Sequence, residues 1–316
     1  MSSPKKITIV VPFLNETENL PVLLERVAGA FAGREEDWEL LLVDDGSTDG
    51  SAEWAVEQSK QNRRVRVLRL SRNFGHQLAI TAGLDRSDGD AVVVMDADLQ
   101  DPPETIGPMI EKWREGFEVV YAVRRSRAGE TWMKRFLAAG FYRVFRRLAK
   151  VNVPMDAGDF RLVDRCVVDA LREMRELHRF MRGLTCWVGF RQASVEYDRA
   201  PRFAGETKYP VWKSARLAFD AITSFSASPL RWIAVLGVGI CLVAALWVLY
   251  VMAQAIANPG SMQKGWASTI AVMVFLGGVQ LVSIGLLGQY VSRIFEEGKR
   301  RPLYLVRTDT KAEKAS

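Results

Sequence analysis

The chain has 316 residues, 48% of them hydrophobic, and 43 Lys and Arg against 37 Asp and Glu give a net charge of +6. That is apolar material enough for a sizeable core, so a disordered chain is excluded. Cys166, Cys186 and Cys241 form no CxxC pair, which excludes a disulfide framework and a zinc site.

The apolar residues are unevenly spread. Up to about residue 228 charged and apolar residues mix as in a soluble domain, whereas Ile233–Ala257 and Ala267–Val291 carry almost no charge. As helices rising ~1.5 Å per residue, both exceed the roughly 30 Å hydrocarbon core of a bilayer. Trp232, Trp266 and Tyr290 stand near their ends, as membrane-interface aromatics do. Arg216 and Arg231 precede the first run and Arg293, Lys299, Arg300 and Arg301 follow the second, against Lys264 between them, so both termini are expected in the cytoplasm. The expected organisation is a cytoplasmic catalytic domain over 1–228, a two-helix anchor in the plasma membrane over 229–295, and a tail over 296–316.

In chain order, Ile7–Val11, Glu39–Val43, Val65–Leu70, Ala91–Met95 and Val119–Val123 read as strands, and the first is too short and too soon followed by Pro12 to be a secretory signal. Leu20–Phe31, Ser51–Gln61, Gln77–Leu84 and Glu104–Arg114 have helical periodicity. This alternation predicts an α/β fold with a mostly parallel, Rossmann-like sheet, whose ligands bind beyond the carboxyl ends of the strands. Those ends are polar: Pro12-Phe13-Leu14-Asn15-Glu16, Asp44-Asp45-Gly46-Ser47-Thr48-Asp49, and Asp96-Ala97-Asp98-Leu99-Gln100-Asp101. Neither GxGxxG nor GxxxxGK[ST] occurs, so a nucleotide is held in another way. Asp96 and Asp98, flanking a small Ala97, suit Mg²⁺ or Mn²⁺ with positions left for diphosphate oxygens. Asp45 and Asp49 fit an ordinary turn and helix cap, and His76 a packing or hydrogen-bonding role near the nucleotide.

Residues 132–150 alternate Met133, Phe136, Leu137, Phe141 and Phe145 with Lys134, Arg135, Arg143, Arg146 and Arg147, a basic amphipathic helix suited to a membrane surface. A second such stretch, about 209–226, leads into the first apolar run. With the chain fixed at a bilayer, the positive charge points to lipid headgroups and phosphates rather than to nucleic acid.

Pro12-x-x-Asn15-Glu16, Val43-Asp44-Asp45-Gly46-Ser47-x-Asp49 and Asp96-Ala97-Asp98-Leu99-Gln100 resemble the markers of family 2 glycosyltransferases of the GT-A fold. Arg72-Asn73-Phe74-Gly75-His76-Gln77, Asp101-Pro102-Pro103-Glu104, Gly158-Asp159-Phe160-Arg161-Leu162 and Arg202-x-x-Gly205-Glu206-Thr207-Lys208-Tyr209 resemble its polyprenyl-phosphate branch, which includes dolichyl-phosphate mannose synthases and bactoprenol glucosyltransferases. The resemblance implies a nucleotide-sugar site at Pro12, Asn15, Glu16, Asp44, Gly46, Ser47, Asp96 and Arg124, and a metal held by Asp96, Asp98 and Gln100. It implies catalysis by Asp98, Asp159, Arg202 and Lys208, and an acceptor-phosphate site at Asp156, Arg161, Arg202 and Lys208. Ala157 stands where Thr is common in relatives.

The implied reaction is inverting transfer of a sugar, with UDP-glucose the favoured donor, to undecaprenyl or another polyprenyl phosphate. GDP-mannose or a modified UDP-pentose is the alternative donor. A processive polysaccharide synthase would be expected to carry Gln-x-x-Arg-Trp and more spans, neither of which occurs; a non-catalytic membrane scaffold is the rival from another class. Small residues in the second apolar run, among them Gly277, Gly278, Gly285 and Gly288, permit homo-oligomerisation.

Overall fold

A computed structural model of the chain describes residues 5–125, 157–198, 228–257 and 265–313. The expected helices at 132–150 and 209–226, with Asp156, Arg202 and Lys208, lie outside the described residues. Two compact units are present, one of Met1–Ala215 with Pro302–Ser316 and one of Arg216–Arg301.

The first unit is built on a sheet in the order β7-β5-β6-β4-β1-β2-β3-β8. Its centre is parallel: β1 (Lys6–Phe13) lies between β2 (Asp37–Asp44) and β4 (Ala91–Val94), and β3 (Val65–Leu70) continues beyond β2. These strands are nearly continuous apolar runs because both faces are covered. On one face Ile7, Ile9, Leu40, Leu42 and Val93 pack with Leu20, Leu23 and Val27 of α1 (Asn19–Ala30) and with Met109 and Ile110 of α4 (Ile106–Arg114). On the other face lies α3 (His76–Arg86), and α2 (Ser51–Gln61) packs beside β3.

The five expected strands and four expected helices are all present, although Pro103–Thr105 forms a 3-10 turn ahead of α4. The far side of the sheet differs from the expectation. Ala157–Asp164, expected as an acceptor-side motif, is a strand, β6, inserted antiparallel between β4 and β5 (Val119–Arg124). Gln192–Tyr197 adds β7 parallel to β5, and α5 (Arg165–Glu173) and α6 (Met181–Trp187) lie between β6 and β7 in the chain. Asp164 ends β6 and caps α5 by accepting from the Cys166 backbone N–H at 2.9 Å, so one residue serves both elements.

The C-terminal segment is more than a tail. Val306–Asp309 forms β8, antiparallel on the open edge of β3, followed by one turn of helix, α9 (Thr310–Glu313). The Ser71 N–H donates to the Leu305 carbonyl and the Val67 N–H to Thr310 Oγ1. Arg66 forks onto Asp309, Nε to Oδ1 at 3.0 Å and Nη2 to Oδ2 at 2.7 Å, and both side chains are buried.

The second unit contains two long helices, α7 (Ser228–Ala257) and α8 (Trp266–Gly298). Two membrane spans are expected from the sequence. Among the described residues, one stretch is long and apolar enough to cross a membrane, Phe275–Gly298 of α8, whereas the apolar stretch of α7, Ile233–Trp247, is shorter.

Two outcomes test this packing. A Cβ placed on Gly83 of α3 would lie 2.2 Å from Val10 Cγ1 and 3.2 Å from Val43 Cγ2, so Gly83→Ala is expected to destabilise the first unit by about 1–3 kcal/mol, read as a lowered melting temperature. For Asp309, burial raises its pKa, but the Arg66 fork reverses this and holds it below the usual carboxylate range. Its stabilising contribution is therefore full above the unfolded value of about 3.9 and lost as pH falls through the depressed folded value. The protection factor of the Val67 amide, its intrinsic exchange rate over the observed rate at the same pH, is expected to be high at neutral pH, to fall as the solution is acidified through the depressed Asp309 value, and to be low even at pH 7 in Arg66→Ala.

Candidate active site at the carboxyl edge of the sheet

The parallel register sets the loops that follow β1 and β2 side by side, since Phe13 pairs with Asp44 at the ends of the two strands. The loops are then tied together. Asn15 N–H donates to Ser47 Oγ at 3.0 Å, Asn15 Oδ1 accepts from the Thr48 N–H at 2.8 Å, and Thr17 Oγ1 donates to Asp49 Oδ2 at 2.6 Å. Asn15 adopts φ +59°, a left-handed conformation that few residues other than Gly hold without such support. Gly46, at φ +85°, has no room for a side chain: a Cβ there would lie 2.8 Å from Asn73 N.

The acidic residues of this edge have different tasks. Asp44 is buried, accepting from the Ser47 N–H at 2.8 Å and from Arg69 Nε at 3.3 Å. Asp45, also buried, holds the loop after β3 by accepting from the Phe74 N–H at 2.7 Å and the Gly75 N–H at 2.9 Å. Asp49 accepts from the Ser51 N–H at the start of α2; burial raises its pKa, but its hydrogen bonds from Ser51 and Thr17 together outweigh this and hold it down at about 2. Asp49 thus accepts from the first residue of α2, one position ahead of the Gly50 N-cap, and Asp45, expected in an ordinary turn, instead ties a loop 29 and 30 residues away.

Asp96 follows β4 closely. Its side chain is part exposed, but Oδ1 is buried and makes no hydrogen bond, its nearest charged neighbour being His76 Nε2 at 3.4 Å. Burial and the charges of Asp159, Asp101 and Asp98 push Asp96 up to about 6, against the pull of His76. An unsatisfied buried carboxylate oxygen among like charges fits a cation, and Asp98, two residues on, supplies a second hard oxygen donor set. Asp98 also accepts from the Gln100 N–H at 3.2 Å, and the loop between them is bent by a buried Leu99 at φ +59°. Among the described residues no group of three or more His, Cys, Asp or Glu is arranged to hold a metal by itself, so any cation here would complete its shell with Gln100 or with substrate oxygens.

Asp101, at the far end of this loop, is buried and accepts from the Tyr197 hydroxyl at the end of β7. Burial and Asp101 push the Tyr197 phenol up to about 12, so it remains a proton donor at neutral pH. Arg124, expected at the nucleotide-sugar, ends β5 and donates through Nε to the same hydroxyl at 3.3 Å, beside Gly158. Pro12 is buried at the end of β1, and Glu16 accepts from Asn19 at the start of α1.

Asp159 lies across from Asp96, bridged by His76, whose Nε2 is 3.4 Å from Asp96 Oδ1 and 3.4 Å from Asp159 Oδ2. Burial would raise the Asp159 carboxyl, but Arg182, His76 and Arg161 hold it well below the usual carboxylate range. Arg161 is a correction. Expected at the acceptor phosphate, it is instead buried beneath the site, donating to the carbonyls of Gly158, Asp159 and Met181 and to the Thr185 hydroxyl. Its place on β6 faces the interior, and the carbonyl turns of β6 and α6 surround it.

Three residues of the site were not anticipated in their present roles. Arg182 of α6 forks onto Asp159, Gln77 Oε1 accepts from the Met181 N–H at 2.9 Å, and Tyr197 secures Asp101. None belongs to the acidic strand ends that drew attention in the sequence. The available signal was the pair of arginines, Arg179 and Arg182, flanking the start of α6.

Comparison with known proteins agrees with this geometry. Residues 8–172 match the glycosyl transferase family 2 model, and residues 228–294 match the GtrB C-terminal hairpin. An uncharacterized glycosyltransferase of Synechocystis sp. is 44% identical over 301 residues, covering 95% of this chain and 94% of that protein. A prophage bactoprenol glucosyl transferase homolog of Escherichia coli is 37% identical over 302 residues, 96% of this chain and 98% of that one. The bactoprenol glucosyl transferase of Shigella phage SfV is 37% identical over 304 residues, 96% of this chain and 99% of that one. With a GT-A-like α/β sheet whose acidic strand ends converge at one edge, and relatives matched over nearly its whole length, the chain belongs to glycosyl transferase family 2.

Proposed function

We propose that the chain transfers glucose from UDP-glucose to the phosphate of a polyprenyl lipid of the bactoprenol, or undecaprenyl, type. The observation that carries the reading is the union in one chain of the Asp96–Asp101 loop with the apolar hairpin, matched end to end by relatives whose names state bactoprenol glucosyl transfer. The apolar side chains of α7 and α8 support a membrane setting, since Val235, Leu242 and Leu246 on the one helix and Leu281, Val282 and Ile294 on the other stand exposed. In this reading both helices span the bilayer, and the catalytic unit and both termini are cytoplasmic.

In the proposed reaction an oxygen of the lipid phosphate bonds to the anomeric carbon while the bond from that carbon to the UDP oxygen breaks, with the electron pair leaving on UDP. One displacement inverts the anomeric centre. A phosphate is anionic near neutral pH and needs no proton removed before it attacks, so the main demand on the protein is to bring two anions together and to stabilise the departing charge. The turn at Gly46-Ser47 with Asp44 forms the nucleoside end, and Asn15 and Glu16 border it. Asp96, Asp98 and Gln100 would hold Mg²⁺ or Mn²⁺, which neutralises charge on the diphosphate. Arg124 stands on the diphosphate side, and Asp156, Arg202 and Lys208 serve the acceptor phosphate.

Purified full-length protein with Mg²⁺ or Mn²⁺ and undecaprenyl phosphate is expected to release UDP from UDP-glucose and to form a glucosylated lipid. Release from GDP-mannose alone would remove the glucose assignment, and no release from a panel of UDP- and GDP-sugars would remove the transfer. Asp98→Ala is expected to lower turnover at least about 100-fold while leaving the melting transition in place; a non-catalytic scaffold would show no turnover for the substitution to lower.

A further inference from the structure

Asp159 is surrounded by donors from three parts of the chain. Its Oδ1 accepts from Arg182 Nε at 2.9 Å and Arg161 Nη2 at 3.4 Å. Its Oδ2 accepts from Arg182 Nη2 at 3.2 Å and Gln77 Nε2 at 3.4 Å, with His76 Nε2 also at 3.4 Å. An ionised carboxylate offers about four lone-pair directions, and donors approach all of them. A general base must present a lone pair to the proton it removes, and Asp159, 6% exposed, has none turned toward an incoming group.

The two guanidiniums on Asp159 are not equivalent. Arg161 is sealed among carbonyls, whereas Arg182 keeps 31% of its side chain exposed on the carboxylate that His76 bridges to Asp96. Arg182 is also held firmly: Asp159 grips two of its nitrogens in a fork, and the preceding Met181 N–H is fixed by Gln77 of α3 at 2.9 Å. A guanidinium fixed in this way is pre-organised for an oxyanion, which it binds more strongly than a mobile lysine does. Through Asp159 and His76 it is linked to a loop whose carboxylates, Asp96, Asp98 and Asp101, add negative charge where phosphates must come together.

We infer that Arg182 binds a phosphate oxygen during transfer and that Asp159 is the positioning residue that aims its guanidinium, not the group that takes a proton. The inference rests on the proposed transfer between two phosphates. The ligand chemistry is a phosphate oxygen, and it has two sources, the lipid phosphate and the donor diphosphate.

The test uses the full chain in detergent, comparing wild type with Arg182→Ala, Arg182→Lys, Asp159→Asn and the double variant Arg182→Ala/Asp159→Asn. Turnover and KM for each substrate are measured with calorimetric binding of UDP in the presence of Mn²⁺ and of undecaprenyl phosphate. Arg182→Ala is expected to lower kcat/KM about 100-fold. The double variant is expected to be no worse than Arg182→Ala alone, because both substitutions remove one function. Arg182→Lys keeps a cation beside Asp159, and with it the fold, and is expected to restore only part of the loss because it cannot fork. A raised KM for the lipid with UDP affinity unchanged assigns the oxygen to the acceptor; weakened UDP binding assigns it to the donor; either supports the inference. Wild-type kcat/KM and wild-type binding of both ligands in a folded Arg182→Lys or Arg182→Ala overturn it, as does an Asp159→Asn loss that multiplies with that of Arg182→Ala. If the wild type transfers no sugar, the proposed function falls by itself, and the two binding measurements still decide whether Arg182 holds a phosphate.

Discussion

The constraint on which this structure depends is a crowd of carboxylates at one sheet edge. Parallel strands β4, β1 and β2 all end there, and so do Asp44, Asp45, Asp96, Asp98 and Asp101, with Asp159 added by β6. Charges so close and so poorly solvated must each be given donors or shift their proton affinity. Backbone N–H groups serve Asp45, Arg69 and a turn serve Asp44, a phenol serves Asp101, and Arg182 and Arg161 serve Asp159. Asp96 Oδ1 alone among these oxygens is buried without a hydrogen bond, with the His76 ring 3.4 Å away, and the unmet demand marks where a ligand belongs.

The same donors fix the loops. Asp45 accepts from two consecutive N–H groups of the Phe74–Gly75 stretch, and that stretch delivers His76 and Gln77 to the site. Substituting Asp45 would thus be felt at Asp159, about one helix start away, through backbone rather than side-chain contact. Asn15 and Leu99 hold left-handed conformations in the two loops nearest the expected nucleotide and cation, as strained backbone at binding sites commonly does. The binding edge is rigid by the number of its ties.

Much of the fold was legible in the sequence because the central strands are buried on both faces and their apolar runs are unmistakable. The acidic strand ends were equally plain, since polar clusters directly after such runs have a fixed place in a parallel sheet. The other half of the sheet was harder to read. β6 carries Asp159 and Arg161, whose charges disguise a strand that pairs antiparallel on both sides. Arg161 looked like a ligand residue because nothing in sequence spacing reveals that carbonyls of β6 and α6 would surround it. Arg182 comes from a stretch with no motif of its own and gains meaning only when α6 is set against Asp159. β8 was read as tail because its four residues, Val-Arg-Thr-Asp, have no apolar run, and its pairing rests on the distant Arg66.

That last strand bears on how the protein is made. β8 is specified after both long apolar helices in the chain, yet it closes the β3 edge of a sheet whose other strands all precede them. During synthesis the sheet therefore waits with the outer edge of β3 unpaired until the hairpin has left the ribosome, and an unpaired edge is a template for wrong pairing. The closure joins residues 243 apart in sequence, Arg66 and Asp309, so it is a late, slow contact. Completion of the catalytic unit is in this way made conditional on completion of the helices that precede β8.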